Sequence, residues 1–308
     1  MLPYPPFPPE HWNAGGEAAA CAQRLVNDPE IFAVLGHICS SCTLAGGPIY
    51  DGAGVTVMTV NSSNPTITEQ GWEHMFRSTP HDGQQGPFMA EFAIEELGAE
   101  NIAIIYGSSD YGRGLMEATR PVVPDFGGEV VAVETYSPGE DKDFSAQLTK
   151  IAQAEPDALL VMGQYADGAL IAKQRVAAGL GDIPLVATAA NQHSQFIELG
   201  GQGAEGAYVV VYFDLTKDEP RTQEIVQKTL DKYGEPPAEQ VPWGYDGVYI
   251  FAQAIEAGAT KETMPEYLSE VEYDGVTGLV HFDENNQVVG LGQDVIVVED
   301  GEFVSYNP

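Results

Sequence analysis

Short apolar runs recur along the chain at residues 31–35, 55–60, 102–106, 130–133, 158–162, 185–188 and 208–212. They are continuous rather than alternating, which marks strands covered on both faces, as in parallel sheets. Between them lie amphipathic segments that predict helices over 84–97, 111–119, 144–154, 168–178 and 191–199, with another from Leu44 and one over 15–26. Strand and helix alternate in the manner of a doubly wound α/β fold. Gly107, Gly127, Gly128 and Gly179 stand between elements as turns or helix stops. The last third differs: helices are expected over 218–233, 243–257 and 262–271, then short strands over 278–282, 294–298 and 303–305.

Each of the first two strands runs into a turn rich in hydroxyls. Gly36-His37-Ile38-Cys39-Ser40-Ser41-Cys42-Thr43 follows the first, and Asn61-Ser62-Ser63-Asn64-Pro65 follows the second. A strand, a small polar turn and a helix N-terminus present free amides and hydroxyls at the carboxyl edge of a sheet, which suits a carboxylate. Asp110 and Tyr111 follow the 102–106 strand, and Gln164 and Tyr165 follow the 158–162 strand. In a parallel sheet these residues share one edge, the usual place for a small-molecule cleft.

Composition narrows the function. At 308 residues and 44% hydrophobic, the chain has material for about two packed domains. No apolar run approaches the ~20 residues of a membrane span. The net charge of −33, from 46 acidic against 13 basic residues, disfavours nucleic acid and anionic membranes as partners. Two readings of that acidity stand: a well-dispersed extracytoplasmic protein, or adaptation to high salt, where self-repulsion is screened.

Enzyme signatures are missing. The sequence has no G-x-S-x-G, no H-E-x-x-H and no P-loop Lys, and its six histidines lack ligand spacing. Gly107-Ser108-Ser109-Asp110-Tyr111-Gly112-Arg113-Gly114 fails the dinucleotide-binding glycine spacing. Asp283-Glu284-Asn285-Asn286 reads as a solvated turn rather than a calcium loop. Cys39 and Cys42 form a C-x-x-C without thioredoxin-like context or a second ligand pair. Small buried thiols are the expectation, with a Cys21–Cys39 disulfide as the alternative. No cofactor is implied.

The stretches Gly36 to Ser41, Ser63-Asn64-Pro65, Phe76-Arg77-Ser78-Thr79, Asp110 to Gly114, Lys142-Asp143-Phe144-Ser145, Ala204-Glu205-Gly206 and Gly244-Tyr245-Asp246-Gly247 resemble the periplasmic leucine/isoleucine/valine-binding family. These are the type I solute-binding proteins of branched-chain amino-acid ABC importers. The resemblance runs from about Glu17 to the C-terminus. It implies two α/β lobes joined by three crossing strands, the first over 1–81 and 214–292, the second over 82–213 and 293–308. It implies a ligand carboxylate on Ser40, with Ser41 beside it. It also implies contacts from Ser62 and Ser63, and closure by Tyr111 and Tyr165. The family's acidic partner for the ligand ammonium falls at Ala189, where no carboxylate stands. Asp167, Asp110 or Asp246 then substitutes, or the ligand is a carboxylate or amide without an ammonium.

The family implies a monomeric periplasmic or extracellular protein that docks on ABC permease subunits, with no membrane insertion. A ligand-sensing receptor of the same fold is the alternative, and a hydrolase using Cys42 or Cys39 is a distant one. The family's opening strand, helix and second strand have no counterpart before residue 15. Residues 1–9, with five prolines, have neither the basic nor the apolar region of a signal peptide. A leader is therefore expected to have been lost with the missing start.

Overall fold

The computed structural model describes residues 15–307. The proline-rich opening segment lies outside them. Two sheets organise the chain.

The larger sheet has seven strands. These are β4 (Asn101–Gly107), β5 (Glu129–Tyr136), β6 (Ala158–Met162), β7 (Leu185–Ala187), β8 (Tyr208–Val211), β11 (Asp294–Glu299) and β12 (Glu302–Ser305), in the order β12-β11-β8-β7-β6-β4-β5. The pairs from β5 to β8 are parallel, and β11 runs antiparallel to both neighbours. Side chains alternate across a strand, so both faces must be apolar if both are covered. They are. Ala103, Ile105, Leu159, Val161 and Val209 pack against α5 (Ser145–Gln153), α6 (Tyr165–Arg175) and α7 (Ser194–Gly200). Ile102, Ile104, Leu160, Met162 and Val210 pack against α3 (Asp82–Glu91) and α4 (Asp110–Thr119).

The smaller sheet is parallel, in the order β1 (Val34–Leu35), β2 (Val57–Thr59), β3 (Met75–Arg77). Beyond β3, Arg77 forms a parallel bridge with Gln287. Met58 and Phe76 face α9 (Gln240–Glu256) and α10 (Met264–Ser269). Val57 and Met75 face α1 (Gly15–Val26) and α2 (Ser40–Gly52). α8 (Pro220–Tyr233) and the hairpin of β9 (Tyr273–Gly275) and β10 (Gly278–Val280) complete this body.

Three passages connect the bodies: from β3 to α3, from β8 to α8, and from Gln287 to β11. Among the described residues no helix is long and apolar enough to cross a membrane.

Three departures from the sequence reading have physical causes. β3 went unforeseen because it is three residues long and ends in the charged Arg77. α2 starts at Ser40, four residues before Leu44, so its first turn contains the hydroxyls rather than following them. Cys39 and Cys42 are neither buried free thiols nor split by a Cys21–Cys39 bridge. The first turn of α2 brings their Cα atoms to 5.3 Å, within bridging range, and they form the disulfide. Cys21 is the free cysteine.

Candidate functional site

Gly36, at φ +147°, turns the chain out of β1, a backbone state that side chains disfavour. Cys39 caps α2 in an extended conformation. The amides of Ser40, Ser41 and Cys42 then have no helical acceptors and face the sheet edge as donors. The second turn is welded to the first. The Ser62 hydroxyl lies 2.7 Å from Thr43 Oγ1 and donates to the His37 carbonyl at 3.1 Å; Thr59 Oγ1 donates to the same carbonyl at 2.7 Å. The Asn64 amide N–H donates to Ser40 Oγ at 3.2 Å. Beneath the turns lies the buried Arg77 guanidinium, which donates to the Asn64 carbonyl at 2.6 Å, to Thr68 Oγ1 at 3.0 Å and to Gln287. Burial holds this guanidinium below its ordinary range, at about 10.

The larger body meets these turns from the other side. Asn64 Nδ2 donates to the Asp110 carbonyl at 2.6 Å, and the Asp110 amide donates to Ser41 Oγ at 3.4 Å. The approach depends on Gly114, where a Cβ would stand 2.6 Å from Asn64 Nδ2.

Two hollows lie between the bodies and share Cys39, Ser40, Tyr111 and Gln164 as walls. The larger, about 120 Å³, is also walled by Ser41, Ser109, Gly139, Lys142 and Asp167. The smaller, about 10 Å³, is also walled by Asn61, Ser63, Ala190, Tyr212 and Glu239. The Ser63 and Tyr212 hydroxyls are buried beside each other, with the Asp82 carboxyl next to Ser63, and neither makes a well-formed hydrogen bond among the described residues. Glu239 is 4% exposed, and burial pushes its carboxyl up to about 8 against the opposing pull of Asn61. Asp82, fully buried at the start of α3, is pushed up to about 7 by burial, opposed first by the Ser63 hydroxyl and then by the nearby Arg77. Asp167 accepts from the Gly139 amide at 3.2 Å; burial raises it to about 6.

Of the residues expected at the site, Ser40, Ser41, Ser63 and Tyr111 wall these hollows. Ser62 does not: its hydroxyl is spent on Thr43 and His37. Tyr165 stacks on His193 with ring centroids 4.0 Å apart, outside both hollows. Ala189 packs with Val60, Tyr212 and Trp243, and its neighbour Ala190 reaches the wall instead. Asp246 lies outside both hollows. Its carboxylate accepts from the Val276 amide at 3.0 Å, from the Thr277 amide at 2.8 Å and from Thr277 Oγ1 at 2.7 Å, anchoring the β9–β10 turn. Asp110 contributes its backbone rather than its carboxylate.

The sequence reading did not single out Glu239, Tyr212 or Asn61 as site residues. Tyr212 ends an apolar strand run and Asn61 opens a noted turn, so both carried a positional signal. Glu239 follows Pro236, Pro237 and Ala238 in a polar stretch, where no pattern marks a buried acid. Among the described residues no group of three or more His, Cys, Asp or Glu could hold a metal ion.

Residues 8–299 match the family described as periplasmic binding protein. The chain belongs to that family. A leucine-, isoleucine-, valine-, threonine- and alanine-binding protein of Pseudomonas aeruginosa is 30% identical over 274 residues, covering 88% of this chain and 72% of the relative. Among solved structures, a leucine-binding protein of Thermotoga maritima superposes with a TM-score of 0.88 at 29% identity, covering 95% of this chain and 84% of the other. The branched-chain amino-acid transporter substrate-binding protein of Streptococcus pneumoniae, in complex with isoleucine, gives 0.86 at 26% identity, covering 94% and 82%. The fold is therefore that of a type I periplasmic binding protein. The chain is a solute-binding protein of the ABC-transporter type, a family of binders of small ligands rather than of enzymes.

Proposed function

We propose that the cleft between the two sheets binds a small amino acid or a related carboxylate or amide, and that closure of one lobe on the other retains it. The lobes are 1–81 with 214–292, and 82–213 with 293–308. The protein works outside the cytoplasmic membrane, as its family does.

One observation carries this reading. The free first-turn amides of α2, the Ser40 hydroxyl and the buried hydroxyls of Ser63 and Tyr212, which make no well-formed bond of their own, converge on hollows that Tyr111 and Gln164 close from the other body. Buried polar groups without partners are costly, about 1–3 kcal/mol each, and a polar ligand head group removes that cost. A carboxylate suits Ser40 because helix N-terminal amides favour negative charge. The relatives' ligands, as their names state them, are amino acids. The larger hollow bears Ser41, Ser109, Lys142 and Asp167 alongside Tyr111, Pro138 and Ala166, so its wall is mixed rather than wholly polar.

Mechanistically, the ligand seats first on the α2 turn and the second turn. Tyr111 and Gln164 then add contacts available only when the lobes approach, so the closed state gains population. The test is calorimetric titration with the twenty standard L-amino acids and matched carboxylates. Ser40→Ala is expected to weaken the best ligand by ~1–3 kcal/mol with an unchanged circular-dichroism spectrum. Unaltered affinity in Ser40→Ala would remove Ser40 from the site.

A further inference from the structure

The head-group end of the cleft contains an acid that no positional rule pointed to. Glu239 stands at the N-cap of α9, and its carboxyl reaches the wall of the small hollow. Its side-chain partner is the Asn61 amide: assigned in the orientation that satisfies both groups, the amide nitrogen faces the two carboxyl oxygens at 3.0 and 3.1 Å and donates to them. Among the described residues no Lys, Arg or His forms an ion pair with it. A carboxylate so buried is costly unless a cation meets it or a proton neutralises it.

The same hollow is walled by Ser40 and Ser63. At about 10 Å³ it holds about one water. A head group whose carboxylate lies on the α2 turn at Ser40, a wall common to both hollows, puts only its ammonium, about the size of one water, into the small hollow beside Glu239. The α2 turn offers N–H and O–H donors, which suit an anion. Glu239 offers acceptors, which suit a cationic donor. An α-amino acid carries both on adjacent atoms of one small head group, the carboxylate and the ammonium. The 189–191 turn offers no acid, since Ala190 is its contribution to the wall. Asp167 walls only the larger hollow and is engaged by Gly139.

We propose that Glu239 is the counter-ion for the ligand's ammonium, so that the cleft selects α-amino acids over carboxylates that lack the amine. The proposal rests on the cleft being the ligand site. It moves the cation-binding group from the seven-stranded body to the three-stranded one. The head group is then held almost wholly by one body, and the other supplies the closing contacts.

The experiment titrates the full chain with the twenty L-amino acids and with matched des-amino acids. Two such pairs are glutamine with glutaramate and leucine with 4-methylpentanoate. The expected result is binding of at least one amino acid, with its des-amino partner about 100-fold weaker. Glu239→Gln is expected to weaken the amino acid by about 100-fold and leave the des-amino acid unchanged. If Glu239→Gln does not fold, the paired comparison in the parent protein decides. Parent-like amino-acid affinity in Glu239→Gln, or equal binding of both pair members by the parent, overturns the proposal and leaves the cleft standing. No binding of any panel member overturns the cleft reading itself, and the proposal with it.

Discussion

In the seven-stranded sheet β4, β5 and β6 run for seven, eight and five residues; in the three-stranded sheet β1, β2 and β3 run for two, three and three. The larger sheet buries apolar side chains on both faces, and its ladders are long. The smaller sheet has too few ladder bonds to fix its turns, and polar side chains do that work. Arg77 ties three segments together, Asp246 anchors a hairpin, and Ser62 and Thr59 join the first two turns. Packing tolerates substitution of shape, whereas a buried polar hub fails all at once when its donors leave. The ligand-facing turns therefore sit on the less redundant of the two bodies.

The sharpest way to break this contrast is at the hub. Arg77→Met orphans the Asn64 carbonyl, Thr68 and Gln287 and is expected to cost ~3–5 kcal/mol in urea unfolding. Leu160→Ala, at the centre of the larger sheet, is expected to cost ~2–5 kcal/mol. Ligand binding should collapse in folded Arg77→Met and survive in folded Leu160→Ala. Equal loss of binding in both would mean that the two bodies are not held differently.

A smaller effect follows from the buried acids. Asp82 and Glu239 titrate at about 7 and about 8 in the folded chain, well above carboxyls exposed to water. The native state holds these protons more tightly than the unfolded chain does. Their contribution to stability is thus fully present below about pH 4, the unfolded range, and is lost as pH rises through 7 and 8. The urea midpoint of the ligand-free protein should fall between pH 5 and pH 8.5. Molar salt screens the surface charge during the measurement. The double variant Asp82→Asn, Glu239→Gln should flatten that slope, and an unchanged slope would assign it to other groups.

The smallest effect concerns the approach of the bodies. Gly114→Ala places a methyl against Asn64 Nδ2. It should weaken every ligand by a similar factor of about 3–10, following the loss of closed population. Titration of two ligands checks it, because unequal factors would mean that the methyl reaches the ligand.

Much of the larger sheet was legible because each of its inner strands is apolar on both faces. A run such as Ala158–Met162 has one reading whichever way it is turned. β3 was not legible, since it is three residues long and ends in a charged residue whose side-chain partner, Gln287, lies 210 residues away. Within the candidate site, the turns could be found from composition but not the facing of single residues. Ser62 and Ser63 are adjacent and chemically identical, yet one hydroxyl is consumed by the scaffold and the other lies beside Asp82 and Tyr212 at the wall of the small hollow. Asp246 looked available because nothing in its helix shows that Val276 and Thr277 will wrap over it. Glu239 was invisible for the opposite reason, an acid in a polar stretch that only the tertiary fold buries.

The Asn64–Asp110 bond belongs to the protein and to no ligand. It sets how readily the halves meet before any solute contributes, and this acts as a gain common to all solutes. Contacts with the head group and tail act as tuning, which differs from one solute to the next. Because the two reside on different residues, changes near Asn64 and Gly114 can reset the concentration at which the protein responds. The ranking of its solutes then stays as it was.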